Sequence, residues 1–254
     1  MDRDFNSLPA RPGRGPGLPV SGSEDVFSNA TYGSRRGRGN NNCYAWAIDN
    51  YANSGGRKLQ PGNLSGARGD VNLSSCAALA SRAAADLRGR AYRVAPEAPC
   101  KKGFYKVMGF LAKDNDYHWY KQHRHLVVRW PADGRWKGVA DLAAAMGVPE
   151  ASVYAPRRPP QAGDVVLVRN SGLWSHKQGF ATGPLLRDAC GQAISDPRKA
   201  CRSYGGGLDY TDFCGAMCVK SKFAAAAVVA KSKSAAVASK SAAASKSKSK
   251  SKRS

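Results

Sequence analysis

The chain has 254 residues, with 40 Lys and Arg against 18 Asp and Glu, for a formal net charge of +22. Its longest apolar run, Phe223 to Ala230, is far short of the roughly 20 residues needed to cross a bilayer, so no membrane span is expected. No apolar run follows the N-terminal charges, so a secretory signal peptide is not expected either.

Residues 1–39 carry Pro9, Pro12, Pro16 and Pro19, many glycines and the Arg35-Arg36-Gly37-Arg38-Gly39 run, without apolar periodicity. They read as a disordered N-terminal segment. Asn40-Asn41-Asn42 then leads into Cys43-Tyr44-Ala45-Trp46-Ala47-Ile48. Asn is a strong helix N-cap, so a helix is predicted from Cys43 to about Ala52. Leu73 to Leu87 is Ala-rich with apolar spacing near that of a helix, and Gly89 follows as a C-cap. Phe104–Leu111 and Tyr117–Tyr120 read as strands around an Asp114-Asn115-Asp116 turn, and Leu126–Trp130 as a third strand. Val139–Met146 reads as a helix closed by Gly147, and Pro156–Pro160 as a rigid connector. Asp164–Val168 is a buried strand, with one more at Leu173–Lys177. Helices first and antiparallel strands later predict an α+β layered domain over residues 40–220.

The charge is uneven. From Lys220 onward there are nine Lys and one Arg, with no acid after Asp212. The alternating Ser-Lys end, with Lys246, Lys248, Lys250, Lys252 and Arg253, cannot bury apolar surface, so residues 221–254 read as a disordered basic tail. A flexible polycation is held to polyanions by counterion release, so nucleic acid is the expected partner, ahead of an acidic membrane surface. A solubilising tail without a partner is the plainer alternative.

Cys43 is the chemically suggestive residue. A thiol at a helix start feels the positive end of the helix dipole, which favours the thiolate nucleophile, although a small buried cysteine is common at such places. A thiol nucleophile needs a base and an orienting partner, and there are four histidines to choose from. His118 and His176 lie on predicted strands, whereas His123 and His125 flank Arg124 and read as surface residues. The seven cysteines (43, 76, 100, 190, 201, 214 and 218) are irregularly spaced, and their odd number points to a reducing compartment with at least one free thiol. An intracellular setting, virion or nucleus included, is therefore expected. Cys190, Cys201, Cys214 and Cys218 lack paired zinc-knuckle spacing, which leaves free buried thiols ahead of a disulfide or a zinc site. No metal or cofactor is expected.

Several motifs recur together: Asn42-Cys43-Tyr44-Ala45-Trp46-Ala47, Leu59-Gln60-Pro61-Gly62, Asp116-Tyr117-His118-Trp119-Tyr120-Lys121-Gln122, Trp174-Ser175-His176-Lys177-Gln178-Gly179, Asp196-Pro197-Arg198 and Tyr210-Thr211-Asp212-Phe213-Cys214-Gly215. From about residue 40 to 219 they resemble an uncharacterised family of bacteria and large DNA viruses. Its Cys-then-His order is similar to papain-like cysteine hydrolases of the cell-wall amidase type. The resemblance implies a papain-like domain in which helices pack on an antiparallel sheet. It makes Cys43 the nucleophile toward an amide or ester carbonyl, His118 the favoured base and His176 its orienter. The Cys43 N–H, with Asn41 or Asn42, would hold the oxyanion. The chain departs from the family pattern in an insertion of about 50 residues, around 125–171, between the two histidine motifs. The alternative is a non-catalytic virion-associated or structural protein that keeps the fold and binds nucleic acid through its tail.

Overall fold

A nine-residue strand, Phe104–Ala112 (β2), is buried on both faces. In the computed structural model, which describes residues 7–51, 58–179 and 182–222, it lies within a six-stranded antiparallel sheet. The other strands of that sheet are Ala91–Val94 (β1), Asp116–Gln122 (β3), Trp174–Lys177 (β7), Pro184–Leu185 (β8) and Asp212–Lys220 (β9). The order is β1-β9-β2-β3-β7-β8. The β2–β3 turn is the expected one, with Asp114 at φ 59°. Gly109 is paired with Trp119, and a Cβ there would come 3.0 Å from the indole, so any larger residue would push the ring away from β2. Strand alternation then splits the core. Tyr105, Val107, Leu111, Tyr117, Trp119, Met217 and Val219 face the helices on one side, and Met108, Phe110, Tyr120, Trp174 and Tyr210 fill the other.

The helices are short. Arg35–Asn40 (α1) precedes Cys43–Ala47 (α2), and Cys76–Asp86 (α3) buries Leu79, Ala80 and Ala83. The α2 helix stops sooner than predicted because Asp49, two residues past its end, is left-handed at φ 53°. Val139–Met146 (α4) matches its expected limits, and Gly147 closes it at φ 66°.

The segment between the two histidine motifs folds on itself. Leu126–Arg129 (β4), Val153–Tyr154 (β5) and Val165–Val168 (β6) make a separate three-stranded sheet ordered β4-β6-β5. Its inward residues, Leu126, Val128, Val153, Val166 and Val168, share a core with Leu142 and Met146 of α4. This segment thus returns the chain to the main sheet, where β7 pairs with β3.

Two expectations are corrected. Residues 7–39 are not a free arm: Leu8, Phe27 and Tyr32 are core residues, and Asp25 forms a buried 2.5 Å ion pair with Lys121. The Lys121 ammonium also sits over the Tyr105 and Trp46 rings. Single anchors of this kind leave no periodic trace in a sequence. Residues through Lys220 form one compact unit. The tail expected to be disordered lies, from residue 223, outside the described residues.

The second correction concerns the cysteines. Disulfides join Cys76 to Cys214, Cys100 to Cys218 and Cys190 to Cys201, leaving Cys43 as the free thiol. Three disulfides belong to an oxidising compartment, which overturns the intracellular, reducing assignment and the free-thiol reading of the C-terminal cysteines. Two of the bridges span 138 and 118 residues, so strand order rather than local spacing brings the partners together. By loop-closure entropy the Cys76–Cys214 bridge restricts the unfolded chain most and the Cys100–Cys218 bridge nearly as much, about 5 kcal/mol. We expect the Cys100→Ala/Cys218→Ala double variant to lower the unfolding free energy, read from denaturant titration, by an amount of that order. A shift under about 1 kcal/mol would show the bridge to be energetically idle.

Candidate active site

The sulfur and the imidazole reach the site from opposite faces of the sheet. β7 pairs with β3 only at Tyr120, Lys121 and Gln122, so the edge of β3 from Asp116 to Trp119 is open on that side. The start of α2 abuts this open edge, and Cys43 Sγ lies 3.8 Å from the Tyr117 carbonyl oxygen. His118 projects from the other face. Cys43 and His118 both line a cavity of about 680 Å³, together with Asn42, Gln60, Asp116 and Tyr210.

His118 meets His176 there. Register sets Tyr120 opposite His176, which puts both imidazoles on one face, and His118 Nε2 lies 2.7 Å from His176 Nδ1. His176 Nε2 lies 2.9 Å from the Arg187 carbonyl oxygen. A carbonyl only accepts, so His176 carries its proton on Nε2 and presents Nδ1 as an acceptor. His118 therefore donates from Nε2, and its Nδ1 keeps a lone pair that no described residue engages. That is the tautomer a general base requires. Burial pushes the His176 pKa down to about 4 and holds His118 well below the usual histidine range, with neighbouring His176 adding to the second effect. Both rings are thus neutral at pH 7.

Cys43 behaves otherwise than its helix-start position suggested. Burial, followed by the charge of Asp116, pushes its pKa up to about 12, and the Trp119 N–H only partly opposes this. One turn of helix is too short a dipole to overcome desolvation. Among the described residues neither histidine hydrogen-bonds to the thiol, whose partner is Tyr117 O. The resting pair is a neutral thiol and a neutral imidazole, not an ion pair.

The other expected site residues are less involved. Asn42 caps α2, its Oδ1 accepting from Ala45 N at 3.0 Å, while Nδ2 donates to Leu59 O at 2.8 Å and Tyr117 Oη at 3.3 Å. Asn41 is fully buried, donates to Gly37 O at 3.1 Å and does not line the cavity. Lys246, Lys248, Lys250, Lys252 and Arg253 lie outside the described residues.

His123 is fully buried rather than at the surface. Its Nδ1 faces the Asp25 carbonyl oxygen at 3.3 Å, so its Nε2 accepts from Ser175 Oγ at 2.7 Å, while that oxygen accepts from Trp46 Nε1 at 2.9 Å and so ties α2 to β7. His125 is half-buried and accepts from Asn170 N at 3.2 Å. Gln60, Asp116, Tyr204 and Tyr210 were not singled out as site residues, although three of them sit inside the recurring motifs. Asp116 accepts from Tyr210 Oη at 2.8 Å, which closes one wall of the cavity. Lys177 lies buried nearby, donating to Arg38 O at 3.1 Å, and burial pushes its pKa down to about 8.

No family model, curated protein or solved structure matches this chain. The site is therefore read from its own geometry.

The raised thiol pKa gives a definite pH dependence. Thiolate is scarce at neutral pH and increases about tenfold per pH unit up to about 12. We expect iodoacetamide labelling of Cys43 in the folded protein to rise steadily from pH 7 to 10 without a plateau. A plateau already reached near pH 6 would show a stabilised thiolate and overturn this electrostatic account.

Proposed function

We propose that this chain is a papain-like thiol hydrolase of peptide, amide or ester bonds, with Cys43 as nucleophile, His118 as base and His176 as orienter. The observation that carries this reading is the 2.7 Å imidazole pair, its tautomers fixed by the Arg187 carbonyl, in the cavity that Cys43 lines. The Cys43 thiol gives its proton to His118 Nδ1 as sulfur attacks the substrate carbonyl. The new imidazolium keeps its Nε2–H bonded to His176 Nδ1. His118 then protonates the departing amine or alkoxide as the tetrahedral adduct collapses to a thioester. Water, deprotonated by His118, attacks the thioester and restores the thiol. The low basicity of both rings suits transient rather than resting protonation.

The non-catalytic alternative draws support from the protonated, 5 % exposed thiol. Activated esters separate the two readings. We expect p-nitrophenyl acetate to acylate Cys43 in the native protein and Cys43→Ala to abolish turnover. His118→Ala should lose about 10²–10⁴-fold, the usual worth of a general base, and His176→Ala should lose less. Equal rates in wild type and His118→Ala would remove the base and, with it, the hydrolase reading.

The basic tail, including Lys246, Lys248, Lys250, Lys252 and Arg253, is proposed as a tether to a polyanion, with nucleic acid as the class. Its support is charge alone: nine Lys and one Arg from Lys220 onward, with no acid. We expect a chain lacking residues 221–254 to lose salt-sensitive retention on immobilised DNA. Undiminished retention would transfer binding to the folded unit.

A further inference from the structure

The oxyanion of the hydrolase reading needs a hydrogen-bond donor beside Cys43, and the polar network around the sulfur restricts which side chain can supply it. Asn42 directly precedes the thiol, but its amide is saturated. Its oxygen must face the Ala45 N–H to cap α2, so the opposite end of the amide is the nitrogen. Both hydrogens on that nitrogen are committed, one to Leu59 O and one to Tyr117 Oη. Neither is free to stabilise a developing charge.

The same network fixes the next amide along. Tyr117 Oη accepts from Asn42 and therefore turns its own hydrogen outward, to Gln60 Oε1 at 2.5 Å. Gln60 must meet that hydrogen with its oxygen. Its Nε2 is left as a donor with no bond to any described residue. The backbone enforces the same placement, because Leu59 O, one residue before Gln60, is held at 2.8 Å by Asn42. Gln60 is half-buried and lines the cavity with Cys43 and His118.

We propose that Gln60 is the side-chain oxyanion donor of this site, its carboxamide oriented by the relay from Asn42 through Tyr117. The proposal rests on the thiol-hydrolase reading and assigns Asn42 and Tyr117 as positioning residues. In the step concerned, sulfur bonds to the carbonyl carbon, the C=O π pair moves onto oxygen, and Gln60 Nε2–H donates to that oxygen until the C=O bond reforms and the leaving group departs.

Two reagents isolate the effect. p-Nitrophenyl acetate acylates a thiol through a tetrahedral oxyanion, whereas iodoacetamide alkylates it by displacement at carbon with no oxyanion. We expect Gln60→Ala and Gln60→Met, which add no charge beside the thiol, to slow acylation of Cys43 by about 10²–10³-fold, the usual loss of one oxyanion donor, while alkylation stays within about two-fold. The alkylation rate also reports that the variants have kept the folded site. Tyr117→Phe, which unpins the carboxamide, should slow acylation by a smaller factor; no loss there would overturn the orienting relay. If acylation and alkylation fall together, or acylation does not fall, Gln60 is not the donor, although the hydrolase reading survives. If wild-type Cys43 is not acylated at all, the hydrolase reading and this inference fall together.

Discussion

The pairing of β7 with β3 is the constraint on which the site depends. Only three residue pairs are formed, yet they set Tyr120 opposite His176 and so put His118 and His176 on one face of the sheet. Because the pairing ends at Tyr120, the rest of the β3 edge is free to receive the start of α2, where Cys43 meets the Tyr117 carbonyl. A seventh strand one or two residues longer would occupy that edge and exclude the thiol. A register slip of one residue would turn His176 to the opposite face. The segment between the two histidine motifs is compatible with this arrangement because its strands pair with one another and bury their apolar residues in a second small sheet.

Burial dominates the electrostatics of the site. Desolvation is the largest influence on Cys43, His118 and His176 alike, raising the thiol and lowering the imidazoles, so each group is held neutral. A neutral pair keeps the thiol unreactive toward casual electrophiles. Carbonyl and amide groups act as fixed reference points in this setting, because their donor and acceptor roles do not change with pH. The Arg187 carbonyl decides the histidine tautomers, and the helix-capping duty of Asn42 decides the orientation of everything bonded to its nitrogen.

Local features of the sequence translate well into structure. Asn42 as N-cap, Gly147 as a left-handed helix end, the turn at Asp114-Asn115 and the strands around His118 and His176 all depend on neighbouring residues and appear as expected. The β9 strand went unread because Gly215 and the half-exposed Cys214 interrupt its apolar pattern, and its burial comes from β1 and β2 on either side. The disulfides were hidden because their partners are set by that same strand order. The N-terminal clasp was hidden because Phe27 and Asp25 act singly. At Cys43 the local argument had the wrong sign: a helix start favours thiolate, but the depth of the residue in the assembled fold outweighs it.

The position of β9 bears on how the chain reaches this state. It is the last strand in sequence among the described residues, yet it lies between β1 and β2, so the main sheet stays divided until nearly the whole folded unit has been synthesised. Contacts spanning more than a hundred residues must then form in one late step, which predisposes the chain to slow, post-translational maturation. Two of the three disulfides end on this strand, so oxidation of Cys76 or Cys100 before it docks tends to trap wrong partners. Cys43 is exposed to those partners during that interval. Its burial and protonation on completion of the fold slow its thiol–disulfide exchange, which helps to keep the thiol reduced in surroundings that oxidise its neighbours.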